Sequence, residues 1–371
     1  MRGPAVLPIV IATGGTGGHF FPAEALASEL LSRGRRVALM TDARSGGLRS
    51  PVFAGLERFV IRGAGIAGRG VWRAGKAGVE LAGGVLQARR TLARINAGVV
   101  VGFGGYPSVA PVLATRLMRP RPAVILHEQN AVLGRANRFL AHHADRLALS
   151  FATTTRVPKV ATVVTGNPVR PLVAALAETD YVPPNDIIRL LVLGGSLGAR
   201  VFSDVVPAAL ASLPDDLLLR IRITQQCRPE DLGRVRATYD LAGIDADLSP
   251  FFPDVADRLA SAHLVIARAG ASTVAELAIA GRPSILVPLP GAIDDHQTAN
   301  ARALVEARGA SMIAQHDLAS ATLRDRLAAL LAQPDLLNHA ALAARTIARP
   351  DAAARLADLV EELMPQEARR S

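Results

Sequence analysis

Three times along this chain a short apolar run ends in a glycine cluster and passes into an amphipathic stretch. Residues 8–12 lead into Gly14-Gly15-Thr16-Gly17-Gly18-His19, residues 99–103 into Gly104-Gly105-Tyr106-Pro107-Ser108, and residues 187–194 into Gly195-Ser196-Leu197-Gly198-Ala199-Arg200. A short uninterrupted apolar run reads as a strand buried on both faces, and helices must cover both sides of a sheet of such strands. Further strands are expected at 37–40, 123–127, 162–165, 217–224, 264–268 and 284–289. Helices are expected at 23–32, 77–94, 108–118, 134–143, 200–211, 272–280 and 295–307, and again after Ser320 to near Met364. The Pro-rich stretch 166–186 divides the pattern. The expected architecture is therefore α/β, with two Rossmann-like domains whose parallel sheets face a cleft: an N-terminal domain 1–165, a linker 166–186, a C-terminal domain 187–350 and a final helix and tail 351–371.

Glycine lets backbone N–H groups approach a bound group with no Cβ in the way, and the helix N-terminus that follows favours an anion. One such loop is equally a tight packing turn, but three at strand ends point to a pyrophosphate-containing ligand. The first loop resembles a dinucleotide fingerprint, yet Asp42 is only a weak match to the acidic residue that should close the second strand.

Charge narrows the partners. Formal net charge is +10, almost all of the positive charge being arginine, since Lys76 and Lys159 are the only lysines. Residues 1–165 hold 22 Lys+Arg against 7 Asp+Glu, whereas 166–371 hold 20 against 25. An anionic partner is thus expected for the first half alone. The one cysteine, Cys227, excludes a disulfide framework within the chain and reads as a small packed residue. The apolar run behind Arg2 imitates a signal peptide, but it leads straight into the first glycine loop. The uncharged stretch between Arg94 and Arg116 is long enough to span a bilayer, but its glycines and prolines fit strand, loop and helix better.

Polar residues gather where open α/β sheets bind ligands. His127-Glu128-Gln129-Asn130 ends one strand, either holding a ligand or tying down neighbouring loops. Arg170, in Gly166-Asn167-Pro168-Val169-Arg170, can clasp a phosphate or bridge the domains. Ala269-Gly270-Ala271-Ser272-Thr273 precedes a helix with Glu276 expected in its first turn, where it suits a ribose diol or simply complements the helix dipole. Asp294-Asp295-His296-Gln297, with Asn300 one turn later, follows the next strand. Asp245-Ala246-Asp247 fits a short metal-binding pattern that arises often by chance, and adjacent histidines such as His142-His143 diverge on a helix.

The segments GGTGGHFFP, GFGGYPS, HEQNAVLGRAN, TGNPVR, LGGSLGAR and RAGASTVAELAIAGRPSILVPLPGAIDDHQTANA stand in this order over essentially the whole chain. Together they resemble the bacterial transferases that add N-acetylglucosamine to undecaprenyl-pyrophosphoryl-N-acetylmuramyl-pentapeptide, turning lipid I into lipid II. The resemblance implies a GT-B glycosyltransferase with the acceptor on the N-terminal domain, UDP-N-acetylglucosamine on the C-terminal one, and no cofactor or metal. It implies that Thr16, Gly17 and Gly18 face the donor's sugar and pyrophosphate, that His19 is the general base, and that Asn130 and Arg170 contact the donor. Ser196 then binds phosphate and Phe252 lies beside uracil. Ala271, Ser272, Thr273, Val274 and Ala275 form the loop under the nucleotide, Glu276 takes the ribose, Gln297 the sugar, and His296 and Asn300 are neighbours. The chain departs from the family at Gln225-Gln226-Cys227-Arg228 and at Ala152.

The same resemblance implies a peripheral enzyme at the cytoplasmic face of the inner membrane, with partners among cell-wall synthesis and division proteins. Arg69, Trp72, Arg73, Lys76, Leu81, Val85, Leu86, Arg89 and Arg90 read as a patch for an anionic membrane surface, or as an ordinary solvated helix. Three rivals stay open: a UDP-sugar transferase with another acceptor, a nicotinamide-dependent oxidoreductase, and a nucleic-acid binder. The last is disfavoured, because aromatics make up only 4% of the chain.

Overall fold

A computed structural model describes residues 7–14, 17–42, 50–61, 71–195 and 198–365, the side chains of 71–77 excepted. It contains two compact units, one running to Arg170 and resuming at Asp351, the other Pro171–Pro350.

The first unit is built in the order β1 (Ile9–Ala12), α1 (Gly17–Ser32), β2 (Val37–Thr41), α2 (Pro51–Ala54), β3 (Glu57–Val60), α3 (Val71–Ile95) and β4 (Val99–Gly102). There follow α4 (Val109–Thr115), β5 (Ala123–Glu128), α5 (Arg135–Leu140), β6 (Arg146–Leu149) and β7 (Thr162–Val164). Its seven strands pair in the order β3-β2-β1-β4-β5-β6-β7, and every pairing is parallel. Ile9 and Ile11 pack on one face with Leu26 and Leu30 of α1, while Val10 and Ala12 pack on the other with Ala88 and Leu92 of α3. That two-sided burial is why β1 is apolar at every position. Strand order reverses between β1 and β4, which lie side by side with Ala12 opposite Gly102.

The second unit runs α6 (Pro171–Ala174), β8 (Ile188–Leu193), α7 (Arg200–Ala211), α8 (Asp215–Leu218), β9 (Ile221–Gln226), α9 (Leu232–Leu241), β10 (Asp245–Ser249) and α10 (Val255–Ser261). It continues with β11 (Leu264–Ala267), α11 (Ala271–Ala280), β12 (Ser284–Leu286), α12 (His296–Glu306), β13 (Ala310–Met312), α13 (Ser320–Leu331) and α14 (Pro334–Arg345). Its sheet, β10-β9-β8-β11-β12-β13, is again wholly parallel and reverses between β8 and β11. Both sheets thus have the doubly wound order that opens a ligand crevice at the carboxyl ends of the strands beside the reversal.

Several elements differ from the sequence-based expectation. Helix α1 begins at Gly17, so His19 sits in its first turn. The strand expected from 217 starts at Ile221, because Pro214, Asp215 and Asp216 favour a helical turn, α8, first. Strands β3 and β13 are short, none of their residues is fully buried, and they carry no apolar run. Among the described residues no helix is long and apolar enough to cross a membrane.

The last helix, α15 (Ala352–Glu362), belongs to the first unit, where Leu356, Ala357, Leu359, Val360 and Met364 join the core on the α1 side of the sheet. Arg33 bridges Glu29 (2.8 Å), Asp358 (2.6 Å) and Glu361 (3.0 Å), and Arg35 also meets Glu361 at 2.7 Å. Such partly exposed pairs add little each, so apolar burial holds the helix. Leu356→Ala is expected to lower unfolding free energy by about 2–5 kcal/mol, read by urea denaturation. Arg33→Gln is expected to cost about 1 kcal/mol or less.

Candidate functional site

In the first unit the polar groups after β5 form one network. Glu128 Oε1 accepts from the backbone N–H of Asn130 (3.0 Å) and from Asn130 Nδ2 (3.1 Å). Its Oε2 accepts from Gly134 N–H (2.9 Å) and from Asn137 Nδ2 (2.9 Å). Glu128 is buried and fully occupied, so it builds the loop that carries Asn130. Asn137 also donates to the carbonyl of His127 at 3.1 Å, a role that nothing in the sequence marked.

His127 is wholly buried. Its Nε2 lies 3.0 Å from the carbonyl of Gly166 and its Nδ1 2.9 Å from Gln129 Nε2, while Gln129 Oε1 lies 2.7 Å from His19 Nδ1. Burial pushes His127 down to about 4, with His19 a minor contributor and the Gly166 hydrogen bond opposing. Thr13 Oγ1 donates to the carbonyl of His19 at 3.0 Å. The Arg170 guanidinium lies 5.3 Å from the centre of the Phe21 ring, on the helix that carries His19. Next to Gly166, Asn167 is buried with neither amide atom hydrogen-bonded among the described residues.

In the second unit the loop after β8 is held by Gln226, at the end of β9. Gln226 Oε1 accepts from Gly194 N–H, and its Nε2 donates to the carbonyls of Gly195 and Pro250, each at 3.0 Å. The segment that departs from the family pattern therefore secures the third glycine loop. A Cβ at Gly194 would lie 2.3 Å from the nitrogen of Ala199, so only glycine fits there. Phe252 follows Pro250 closely, but its side chain is buried while Phe251 is 64% exposed. Arg258 covers the Phe252 ring at 4.0 Å and pairs with Asp254 (2.9 Å) and Asp247 (2.5 Å). What Phe252 can offer a base is thus its backbone.

Gly270 caps α11. Ala271 and Val274 are buried in the core, whereas Ser272, Thr273, Ala275 and Glu276 are partly exposed. Glu276 stands in the second turn, not the first, one turn beyond Ser272 and Thr273 and on their face. Asn300 is wholly buried and donates to the carbonyl of Ala269 at 3.1 Å, tying α12 to the end of β11. Gln297 Oε1 accepts from Leu289 N–H (2.9 Å), and His296 Nδ1 donates to the carbonyl of Ile293 (2.8 Å). Asp294 and Asp295, between these loops, both have positive φ, 56° and 53°, a conformation that costs free energy and is concentrated at ligand sites. Arg268, which the sequence placed only as the end of a strand, donates to the carbonyls of Val287 (3.1 Å) and Pro288 (3.2 Å) and to Gln315 (2.6 Å). It thereby fixes the two loops after β11 and β12 to each other, while burial lowers its pKa.

Thr16 and Ser196 lie outside the described residues, as do Arg69 and the side chains of Trp72, Arg73 and Lys76. Gly17 and Gly18 open α1. Of the remaining surface patch on α3, Leu86, Arg89 and Arg90 are exposed, with Val79 beside them, whereas Leu81 and Val85 turn partly inward against the core. Among the described residues no group of three or more His, Cys, Asp or Glu side chains is placed to hold a metal ion. Asp245 pairs with Arg222 at 3.1 Å and Asp247 with Arg258, so the DxD segment is an ion-paired edge strand. Cys227 is buried, and that burial raises its pKa.

Two doubly wound sheets, each with glycine-loop and polar residues at the strand reversal, have the architecture of GT-B glycosyltransferases. The chain belongs to glycosyltransferase family 28: the family's N-terminal domain model matches residues 9–149 and its C-terminal domain model residues 189–360. A relative from Granulibacter bethesdensis is 64% identical over 97% of this chain and 95% of its own length. One from Acidiphilium cryptum is 54% identical over 97% and 98%. Both are named UDP-N-acetylglucosamine–N-acetylmuramyl-(pentapeptide) pyrophosphoryl-undecaprenol N-acetylglucosamine transferase. The crystal structure of Acinetobacter baumannii MurG superposes with a TM-score of 0.79 at 30% identity, covering 96% of this chain and 99% of that one. The glycotransferase of kitacinnamycin, 17% identical with a TM-score of 0.69 over 98% and 100%, shares the fold.

His127 sets a pH dependence. Unfolded histidine binds its proton near pH 6.5 and buried His127 only near 4, so between these values the unfolded chain holds the extra proton and stability falls as pH falls. The loss reaches about 3 kcal/mol by pH 4. His263 in the second unit, lowered to about 4 chiefly by burial, acts in the same window. Urea denaturation from pH 7 to 4 is expected to show this slope, and His127→Gln to remove the share belonging to His127.

Proposed function

We propose that this chain transfers N-acetylglucosamine from UDP-N-acetylglucosamine to the C4 hydroxyl of the muramyl sugar of undecaprenyl-pyrophosphoryl-N-acetylmuramyl-pentapeptide, converting lipid I to lipid II. The observation that carries this reading is the 64% identity, over nearly the full length of both chains, to a relative named for that reaction.

The acceptor oxygen attacks the anomeric carbon from the face opposite UDP. The new C–O bond forms as the bond to the β-phosphate oxygen breaks, and configuration inverts from α to β. His19 takes the hydroxyl proton, a role suited to imidazole near neutral pH. UDP leaves with negative charge growing on its β-phosphate. Backbone N–H groups at Gly17 and Gly18, the Ser196 hydroxyl, Arg170 and the N-terminus of α11 supply donors and positive potential for that charge. Ser272 and Thr273 serve the nucleotide from the first turn of α11, and Glu276 accepts from the ribose diol. Gln297, its Oε1 fixed by Leu289 N–H, presents its amide NH2 to the sugar. Asn130 is aimed by Glu128. Asn300 serves as the anchor of the Ala269 loop, and Phe252 contributes main chain beside uracil.

A polyprenyl acceptor together with a nucleotide-sugar donor fits an enzyme working at the cytoplasmic face of the inner membrane, where it would meet other cell-wall synthesis and division proteins. The first half carries the excess of arginine that an anionic surface attracts. Exposed Val79 and Leu86 beside Arg89 and Arg90 fit contact with that surface.

UDP release from UDP-N-acetylglucosamine is expected to require a lipid I analogue and to fail with UDP-N-acetylgalactosamine; acceptor-independent or donor-indifferent release overturns the reading. His19→Ala is expected to lower kcat by about 10²–10⁴-fold, and near wild-type turnover across pH 6–9 removes His19 as the base. Co-sedimentation with vesicles is expected to require anionic lipid and to weaken with salt and in Arg89→Glu/Arg90→Glu. Sedimentation indifferent to all three excludes the patch.

A further inference from the structure

Three hydrogen bonds run in series from a backbone carbonyl to His19, and their directions are not free. The carbonyl of Gly166 can only accept, so His127 Nε2, 3.0 Å away, carries a proton. His127 is wholly buried and held neutral, and a neutral imidazole has one N–H and one lone pair. Its Nδ1 therefore accepts, and the Gln129 atom facing it at 2.9 Å is the amide nitrogen. A second Gln129 N–H bond, to the carbonyl of His127 at 3.1 Å, fixes the amide the same way round, because a carbonyl oxygen there would face another oxygen. Gln129 itself is 1% exposed and has no room to serve water instead. Its Oε1 then lies 2.7 Å from His19 Nδ1 and requires a proton on that nitrogen.

The geometry points to Gln129 and His127 as positioning residues that hold neutral His19 in the Nδ1–H form, leaving the lone pair on Nε2 as the atom that accepts the acceptor's proton. Nε2 makes no hydrogen bond among the described residues. The second glycine loop guards that edge of the ring. Gly105 has φ +66°, and a Cβ there would lie 3.4 Å from His19 Cδ2 and 3.5 Å from Nε2, against the nitrogen that must meet the hydroxyl. The inference rests on the reading of His19 as the base. It adds which nitrogen acts and what selects it.

The test is the ring-nitrogen spectrum of the full chain labelled with ¹⁵N-histidine, read without substrate, with His19 signals identified by their loss in His19→Gln. With both rings neutral the expected signature is a protonated, pyrrole-type Nδ1 and a pyridine-type Nε2 for His19, with the opposite pattern for His127. Gln129→Leu is expected to move His19 toward the Nε2–H form and to lower kcat by about 10–100-fold, with KM for UDP-N-acetylglucosamine changed less than about threefold. Gln129→Glu, whose carboxylate can only accept, is expected to keep the His19 signature and to add a proton at His127 Nδ1, while Nε2–H stays on the Gly166 carbonyl. Three results overturn the inference: a wild-type His19 protonated at Nε2, a His127 pattern unmoved by Gln129→Glu, or wild-type kcat in Gln129→Leu. A wrong donor or acceptor in the proposed reaction leaves the spectra unchanged, so the two failures are distinguishable.

Discussion

Past its last ladder bond, a parallel strand no longer finds backbone partners in its own sheet, and a chain that must form a loop there leaves N–H and C=O groups to be satisfied another way. Both sheets place their polar loops at such ends, and in each a buried side chain supplies the missing partners. Gln226 closes three bonds around the loop after β8. Arg268 takes both carbonyls that follow β12, and Asn300 takes the one that follows β11. In the first unit Glu128, Asn137 and Gln129 do the same after β5. These side chains hold the loops at the strand ends, among them the third glycine loop. Buried polar groups of this kind stabilise only when every member is paired.

This division of labour explains which parts of the site were legible in the sequence. The central strands and their parallel sheets were legible from fully apolar runs such as Ile9–Ala12, since only burial on both faces produces them. The edge strands β3 and β13 were not legible, because an edge has one neighbour and tolerates residues such as Glu57, Arg58 and Ser311. The place of α15 was equally hidden. Its apolar face shows that it packs on something, and local pattern cannot say that the something is α1, more than three hundred residues earlier.

Within the site, residue type located the polar clusters but did not separate ligand-facing groups from loop-holding ones. Asn300 and Glu276 look alike in sequence, as polar residues on helices that follow strands. One is wholly buried against the Ala269 carbonyl and the other is partly exposed on the face of α11 shared with Ser272 and Thr273. Phe252 and Phe251 are adjacent and identical in type, yet the first is buried with Arg258 over its ring and the second is exposed. Gln129 was named only as a member of its polar cluster, with no role of its own, because that role depends on two histidines, one of them 110 residues away.

That the residue behind His19 is an amide rather than a carboxylate has a chemical consequence. In the serine-protease triad an aspartate orients the histidine and stabilises the imidazolium that forms. A carboxylate here would add a buried negative charge close to the proposed departure of a diphosphate, and it would need its own partners to remain ionised. An amide supplies the orientation without the charge, provided that something fixes which way round it lies. An isolated glutamine cannot do this, since its two ends differ little in size and either can face a histidine. Neutral His127, locked by the Gly166 carbonyl, removes the ambiguity. Burial that depresses His127 to about 4 is therefore part of the arrangement: were that ring to protonate, both nitrogens would donate, Gln129 would turn over, and His19 would face an N–H where it needs an acceptor.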